Sequence, residues 1–471
     1  MDLHLNLKGQ RQLSGQVYRQ LREAILDGRL RAGETLPSSR ALAGSLQVSR
    51  TTVLIAYERL RAEGFLGSRL GAGTYVSDGV RPRAAAGLAD SPLRPRSLWD
   101  ELPEGPDMAS LGVDYDFRSG IPDSSLFPFA EWRARMARQL QPRSVGKGSH
   151  IGAAGLPELR AAVARHITVS RGVRTTADDV FITNGSQQAI DLIARVLLQP
   201  GARVAVEDPG YPPPRRAFQA QGLRVQPVPV DAEGLVVDAI PSRVRLVYVT
   251  PSHQYPLGMA LSLGRRQALL AWARRNDAAI VEDDYDSEFR YGGRPLETVQ
   301  GLDQTGRVIY VGSLSKVLLP TLRLGFLAAP RPLHSALRKA KYVADWHTEV
   351  PGQGAAAQFI DDGLLAQHIR RMRRIYAERH ELMLRILERD FGGMLTPLPS
   401  AGGLHFAALL DKRRGSGDRA VVQRARAAGI ALAPLSYFHV KAPPRAGLLL
   451  GYGAIRTDRI EAGLRRLRRC L

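Results

Sequence analysis

Apolar positions in the first eighty residues recur at helical spacing and then give way to two short runs. Val17, Leu21 and Ile25 share one face of the stretch Gln16–Asp27, and Gly28 stops it. A second, shorter helix is expected over Ser39–Leu46 with Ser38 as its cap. A brief turn at Gln47-Val48 then leads to a third helix opening at Ser49-Arg50-Thr51-Thr52 and ending at Glu63-Gly64. Phe65–Gly67 and Gly73–Val76 read as the two strands of a hairpin with a glycine tip at Gly71-Ala72-Gly73. From Ser77 to about Leu111 the periodicity disappears into Pro, Arg, Ala, Gly and Asp, apart from a short helix near Ser97–Leu102, which predicts a flexible tether.

Beyond residue 113 the pattern changes again. Compact apolar runs appear at Val180-Phe181-Ile182, Arg203–Val206, Ala278–Val281 and Arg307–Val311, separated by amphipathic stretches such as the one that begins at Phe127 and the one from Gly155 to Gly172. Buried strands alternating with helices predict an α/β sheet, which binds its ligands at the carboxyl ends of the strands. Those ends carry chemistry here. The runs are followed by Thr183-Asn184-Gly185-Ser186-Gln187, Glu207-Asp208-Pro209-Gly210-Tyr211, Glu282-Asp283-Asp284-Tyr285 and Gly312-Ser313-Leu314-Ser315-Lys316.

Composition narrows the class. With 471 residues the chain has room for two or three domains, and 44% apolar residues suit a globular protein. A formal charge of +21 favours a polyanionic partner. The lone Cys470 rules out an internal disulfide, and no Cys/His cluster has metal-ligand spacing, so no metal is expected. The first residues have no signal-peptide pattern and no stretch reaches membrane-spanning length, so a cytoplasmic protein is expected.

Two helices joined by a short turn, the second opening with Ser-Arg-Thr-Thr, suit a helix-turn-helix whose recognition helix enters the major groove by its N-terminal end. Arginine at that end can read guanine bidentately, and the hydroxyls can reach bases or phosphates. At the other sheet, Lys316 after a buried strand can act as an amine nucleophile toward an aldehyde cofactor, with Ser313, Ser315 and Arg323 set to hold a phosphate. A carboxylate at Asp283 can keep a pyridine nitrogen protonated, the Tyr285 phenol can bond a ring oxygen, and a helix starting at Ser186 offers backbone N–H groups to phosphate.

The pattern Leu36-Pro37-Ser38-Ser39-Arg40, Val48-Ser49-Arg50-Thr51-Thr52-Val53, Glu63-Gly64 and Gly71-Ala72-Gly73-Thr74 resembles the GntR winged helix-turn-helix. This resemblance implies DNA contacts from Arg40, Ser49, Arg50, Thr51, Thr52 and the wing from Gly71 to Gly73, with Tyr57 as a packing or phosphate contact. Residues from about 113 to 471 resemble a fold-type I, pyridoxal-phosphate-dependent aminotransferase. The order Gly185-Ser186-Gln187, Asp208-Pro209-Gly210-Tyr211, Asp283-Asp284-Tyr285, Ser313-Leu314-Ser315-Lys316 and Arg323 carries it. By that resemblance Lys316 is the internal-aldimine lysine, Asp283 pairs with the pyridine nitrogen, Tyr285 contacts the 3-oxygen and Tyr211 stacks on the ring. Ser186, Gln187, Ser313, Ser315 and Arg323 hold the phosphate.

The combination resembles the MocR group of GntR-type regulators. It implies a mostly α winged helix-turn-helix over residues 1–78, a linker over 79–112, and an α/β aminotransferase domain with a mixed, mostly parallel central sheet over 113–471. It also implies a homodimer, an operator in double-stranded DNA, and control by pyridoxal 5'-phosphate or an amine or amino-acid effector.

Two positions depart from the aminotransferase pattern. Leu449 stands where such enzymes usually carry the arginine that binds the substrate carboxylate, and His150 where a tyrosine commonly reaches the partner subunit's phosphate. His253 and Tyr255 fall in a loop resembling the family's cofactor-side loop, while His405 reads as a strand residue. The leading expectation is therefore a regulator that uses cofactor chemistry for sensing. An active aminotransferase with an appended DNA-binding domain, and a regulator with an empty large domain, are the alternatives.

Overall fold

The computed structural model describes residues 5–7, 9, 12–69, 73–78, 94–104, 112–142, 150–291, 297–400, 402–411, 417–441 and 445–471. The chain divides into two compact units, Met1–Arg96 and Ser97–Leu471, so the division falls within the stretch read as linker. Residues 79–93 and 105–111 of that stretch, and the wing residues Leu70, Gly71 and Ala72, lie outside the described residues.

In the first unit, α1 (Leu13–Leu26), α2 (Ser39–Leu46) and α3 (Arg50–Ala62) pack through Val17, Leu21, Ile25, Leu42, Val53 and Leu60, all nearly or fully buried. The caps stand where the serines predict them. Ser38 accepts from the Ala41 N–H at the start of α2, and Ser49 from the Thr52 N–H at the start of α3. The expected hairpin is larger than the sequence suggests. β2 (Leu66–Arg69) and β3 (Gly73–Val76) pair antiparallel, and β1 (Thr35–Leu36) adds a third strand on the other edge of β3. A two-residue strand is too short to show a period of two, which is why only the hairpin was legible.

The second unit begins with a single turn, α4 (Leu98–Glu101), followed by the short strand β4 (Tyr115–Asp116), α5 (Phe129–Gln139) and α6 (Pro157–Arg171). Its main sheet comprises β5 (Val180–Thr183), β6 (Arg203–Asp208), β7 (Arg224–Asp231), β8 (Gly234–Leu235), β9 (Val244–Val249), β10 (Ala279–Asp284), β11 (Val308–Ser313) and β12 (Gly325–Ala328). The order is β5-β12-β11-β10-β9-β6-β7-β8. β7, β6, β9, β10 and β11 run parallel, whereas β12 is antiparallel to both of its neighbours and β8 to β7. This is the mixed, mostly parallel sheet expected. β11 is buried along its whole length and β10 in all but its first residue, as sheets covered on both faces require. After α7 (Ser186–Leu197) and the other helices that flank the sheet, a long helix over Leu364–Phe391 leads to a smaller antiparallel sheet. That sheet is β13 (Leu395–Pro397), β14 (His405–Leu410), β16 (Ala433–Pro434) and β17 (Gly447–Gly451), ordered β13-β14-β17-β16, while β15 (Ile430–Ala431) pairs with β4. Among the described residues no helix is long and apolar enough to cross a membrane.

Candidate functional site

The carboxyl ends of β6, β10 and β11 and the start of α7 surround a cavity of about 180 Å³. All nine of the cofactor-site residues singled out from the sequence line it: Ser186, Gln187 and Tyr211 from the amino-terminal half of the sheet region, Asp283 in β10 and Tyr285 just after it, and Ser313, Ser315, Lys316 and Arg323 around β11. Ser119, Gly120, Tyr255 and Pro320 complete the wall.

Lys316 sits in the turn directly after β11, where its Nζ donates to the Gly120 carbonyl at 2.7 Å. Burial pushes its amine below the ordinary lysine range, against the opposing pull of Asp286 and Asp283. A smaller fraction of such an amine is protonated, which is what a nucleophile needs. Asp283 is the buried penultimate residue of β10, and Tyr248 donates to its Oδ2 at 2.6 Å. Its Oδ1 is buried and has no hydrogen-bond partner among the described residues. Burial pushes this carboxyl up to about 7 despite the Tyr248 bond.

The phosphate-side residues are held by close backbone packing. Arg323 adopts φ 52° and its Nη2 donates to the Asn184 carbonyl at 2.8 Å, which lays the guanidinium over Gly185. Gly185 has φ +80°, and a Cβ there would come within 2.7 Å of Arg323 Nη2, so only glycine permits this approach. Ser186 opens α7, and Ser313 Oγ accepts from the Ser315 N–H at 3.1 Å. Gln187 Nε2 donates to the Pro213 carbonyl at 3.3 Å. Tyr211 meets Tyr255 edge to face at 5.0 Å, and burial pushes its phenol up to about 12. Tyr285 donates to the His253 carbonyl at 2.9 Å and lies 3.0 Å from His253 Nδ1.

Other features were not legible. Arg171, the last residue of α6, is buried with Asp284, its Nε donating to Oδ2 at 2.7 Å, and Tyr310 donates to the same oxygen. Burial works to raise the Asp284 pKa, yet Arg171 holds it below the usual carboxylate range. Neither residue lies near the other in sequence, so only the fold joins them. Leu449 is fully buried in β17 within an apolar cluster formed with Leu257, Ala407, Leu435 and Phe438. Of the two arginines near it in sequence, Arg445 is exposed and Arg456 is exposed and paired with Asp458, and neither lines the cavity. His150 is exposed, its Nδ1 3.3 Å from His347 Nε2 and its ring against Trp346.

In the first unit, Arg40, Ser49, Arg50, Thr51 and Gly73 are exposed and Thr52 is half-buried. The Ser49 and Thr52 hydroxyls bond each other at 2.8 Å, so both take part in capping α3. Arg50 Nε lies 3.4 Å from Ser39 Oγ. Tyr57 is a packing residue: it is buried, and its hydroxyl donates to the Pro37 carbonyl at 2.8 Å.

The family profile "Bacterial regulatory proteins, gntR family" matches residues 13–76, and "Aminotransferase class I and II" matches residues 116–450. The chain is 36% identical to the "Probable rhizopine catabolism regulatory protein MocR" of Rhizobium meliloti, over 96% of this chain and 92% of that one. The chain belongs to the MocR-type regulators. As such it is a DNA-binding transcriptional regulator with an aminotransferase-like domain. It is also 33% identical, over 95% of its own length and 93% of the relative's, to the "HTH-type pyridoxine biosynthesis transcriptional regulator PdxR" of Corynebacterium glutamicum. Among solved structures, the LysN α-aminoadipate aminotransferase of Thermus thermophilus superposes with a TM-score of 0.70 at 32% identity, covering 76% of this MocR-type chain and 92% of that enzyme. It was solved with N-(5'-phosphopyridoxyl)-L-leucine.

Proposed function

We propose that this regulator carries pyridoxal 5'-phosphate, attached through Lys316, and that the cofactor or an amine reacting with it controls operator binding. The observation that carries the reading is the cavity in which the Lys316 amine and the unpartnered Asp283 Oδ1 share one wall system. The residues fit the group. A buried carboxylate oxygen without a partner is costly unless something donates to it, and a protonated pyridine nitrogen is such a donor. The close approach that Gly185 allows leaves the Arg323 guanidinium beside the first N–H groups of α7, a donor set suited to a phosphate. When bound, the cofactor supplies an aldehyde that condenses with amines and a ring that withdraws electrons from them.

The chain's own residues then divide the work. Lys316 supplies the attachment amine, its pKa lowered by burial. Asp283 would keep a proton on the ring nitrogen, Tyr285 would bond a ring oxygen through its phenol, and Tyr211 would pack against the ring. Ser186, Gln187, Ser313, Ser315 and Arg323 bind the phosphate. In the first unit the exposed Arg40, Arg50 and Thr51 contact DNA together with Ser49 and Thr52 at the start of α3 and Gly71 and Gly73 of the wing. A homodimer is supported by the exposed Tyr342, Val343 and Trp346, an apolar patch beside His150 that a second copy can cover.

Sensing is favoured over sustained transamination by Leu449, since an apolar cluster stands where a carboxylate-binding guanidinium is needed. The test is a titration of cofactor-free protein with pyridoxal 5'-phosphate, followed by visible and near-ultraviolet absorbance, for wild type and Lys316→Ala. A saturable protein-bound band in wild type alone supports attachment at Lys316. The same band in both proteins refutes it, and sustained turnover with amino donors and keto acids refutes the sensor reading.

A further inference from the structure

Three side chains from distant parts of the chain meet behind Tyr285. His253 follows β9, Asp286 follows β10, and His405 opens β14. One ligand-capable atom of each lies within 4.8 Å of the others, and the residues are 5%, 1% and 0% exposed.

Two of the three form an ordinary pair. His253 Nδ1 lies 3.1 Å from both Asp286 oxygens, His253 Nε2 lies 3.1 Å from Ser400 Oγ, and the Leu404 N–H donates to Asp286 Oδ2 at 3.2 Å. His405 is what this pairing leaves unexplained. Its ring lies parallel to Tyr285 and 4.8 Å from the His253 ring, and its nitrogens make no hydrogen bond of ordinary geometry among the described residues, only a weak approach to the Pro256 backbone. A buried donor or acceptor left unmade costs stability, so a fully buried imidazole in a strand core demands a partner. The loop is shaped for the cluster. Gly403 has φ +82°, and a Cβ there would fall 2.2 Å from His253 Cε1 and 2.6 Å from Asp286 Oδ2.

We propose that His253, Asp286 and His405 form a binding site for a first-row divalent transition cation, with Zn²⁺ the best match. Two imidazoles and one carboxylate are a borderline-soft donor set of the kind zinc takes, whereas Mg²⁺ and Ca²⁺ prefer sites built mainly from oxygen. Three protein ligands leave a fourth position for water or a neighbouring hydroxyl. The cation takes the place of the hydrogen bond between His253 Nδ1 and Asp286, the imidazole keeps its one proton on Nε2 facing Ser400 Oγ, and no oxidation state changes. The Leu404 N–H then serves to orient the carboxylate. Sequence spacing excluded a metal because it sees only ligands near one another, and these three are gathered by the sheet ends. Tyr285 also lines the cofactor cavity and contacts His253, so on the reading proposed above its phenol would link the cation site to the cofactor.

The experiment uses the untagged full chain, freed of pyridoxal phosphate because that molecule binds metals itself, and stripped with a chelator. Zn²⁺ is titrated by calorimetry and Co²⁺ by its ligand-field absorbance. One equivalent of either is expected to bind wild type, with an intense Co²⁺ band typical of a low-coordinate nitrogen and oxygen site. His405→Phe, which keeps an aromatic ring in the core, is expected to weaken binding by roughly 100-fold and abolish the band. His405→Gln is the second variant should the first fold poorly, with tryptophan fluorescence as the check. Absence of stoichiometric binding to wild type overturns the proposal, as does unchanged binding by a folded His405 variant. Lys316→Ala is expected to bind the metal like wild type, which keeps this test separate from that of cofactor attachment.

Discussion

Asp283→Asn should have opposite effects on the unloaded protein's stability and on its chemistry. The carboxyl is buried and its pKa is pushed from 3.8 up to about 7, chiefly by desolvation, with the Tyr248 hydroxyl working the other way. A folded-state value above the unfolded one means that the folded chain holds the proton more tightly. Stability from this group is therefore complete below the unfolded value and falls as pH rises, until the folded value is passed. A shift of roughly three units corresponds to about 4 kcal/mol, of which roughly 3 kcal/mol is lost between pH 5 and pH 8. Asparagine keeps the oxygen that Tyr248 bonds and removes the ionisation. Without cofactor, the variant should gain on wild type by roughly that amount as pH rises from 5 to 8. Glu207, Glu282 and Glu288 also sit at about 7 and steepen both curves, so the difference between the proteins isolates Asp283. The assay is urea unfolding followed by tryptophan fluorescence. All four tryptophans, Trp99, Trp132, Trp272 and Trp346, belong to the second unit, which makes the signal specific to it. The same variant should bind pyridoxal 5'-phosphate with a weakened ring interaction, because an amide cannot hold the ring nitrogen protonated. A stability difference independent of pH would show that Asp283 is ionised throughout and refute the reasoning.

Three further outcomes are expected. Gly185→Ala forces a Cβ against Arg323 at φ +80°, at a strain of about 1–3 kcal/mol, and should weaken binding of pyridoxal 5'-phosphate more than that of pyridoxal, measured by absorbance titration. Arg171→Met leaves Asp284 buried without its guanidinium and should destabilise the second unit by about 3–5 kcal/mol, with much of the loss recovered when Asp284→Asn is added, as fluorescence-monitored unfolding can measure. Arg50→Ala should cost about 1–3 kcal/mol of operator binding and relax sequence preference, and an equal loss on operator and random DNA in anisotropy assays would instead mark a phosphate contact.

Much of this architecture was legible because the chemistry sits where strands end. The apolar runs that became β5, β6, β10 and β11 each stop at a glycine, acid or hydroxyl residue, and the parallel order of β6, β10 and β11 brings those ends to one side. The serine caps and the short turn at Gln47 made α2 and α3 equally readable. What escaped the sequence depends on contacts between remote segments. Arg171 meets Asp284 only because α6 returns to the sheet, and Tyr57 finds Pro37 only once α3 packs beside the wing. His405 read as an ordinary strand residue, and it is one by position. Its partners His253 and Asp286 come from the loops after β9 and β10, which no local pattern links to β14.

The central claim is that the state of the Lys316 site governs DNA binding. The most direct test measures operator affinity by fluorescence anisotropy for wild type with and without pyridoxal 5'-phosphate, and for Lys316→Ala under both conditions, with loading verified by absorbance. The account predicts that loading shifts wild-type affinity by a factor of about 5–150, equivalent to a coupling of about 1–3 kcal/mol, and that Lys316→Ala does not respond. Equal operator affinity in the fully loaded and unloaded wild type, in the absence or presence of added amines, would contradict it.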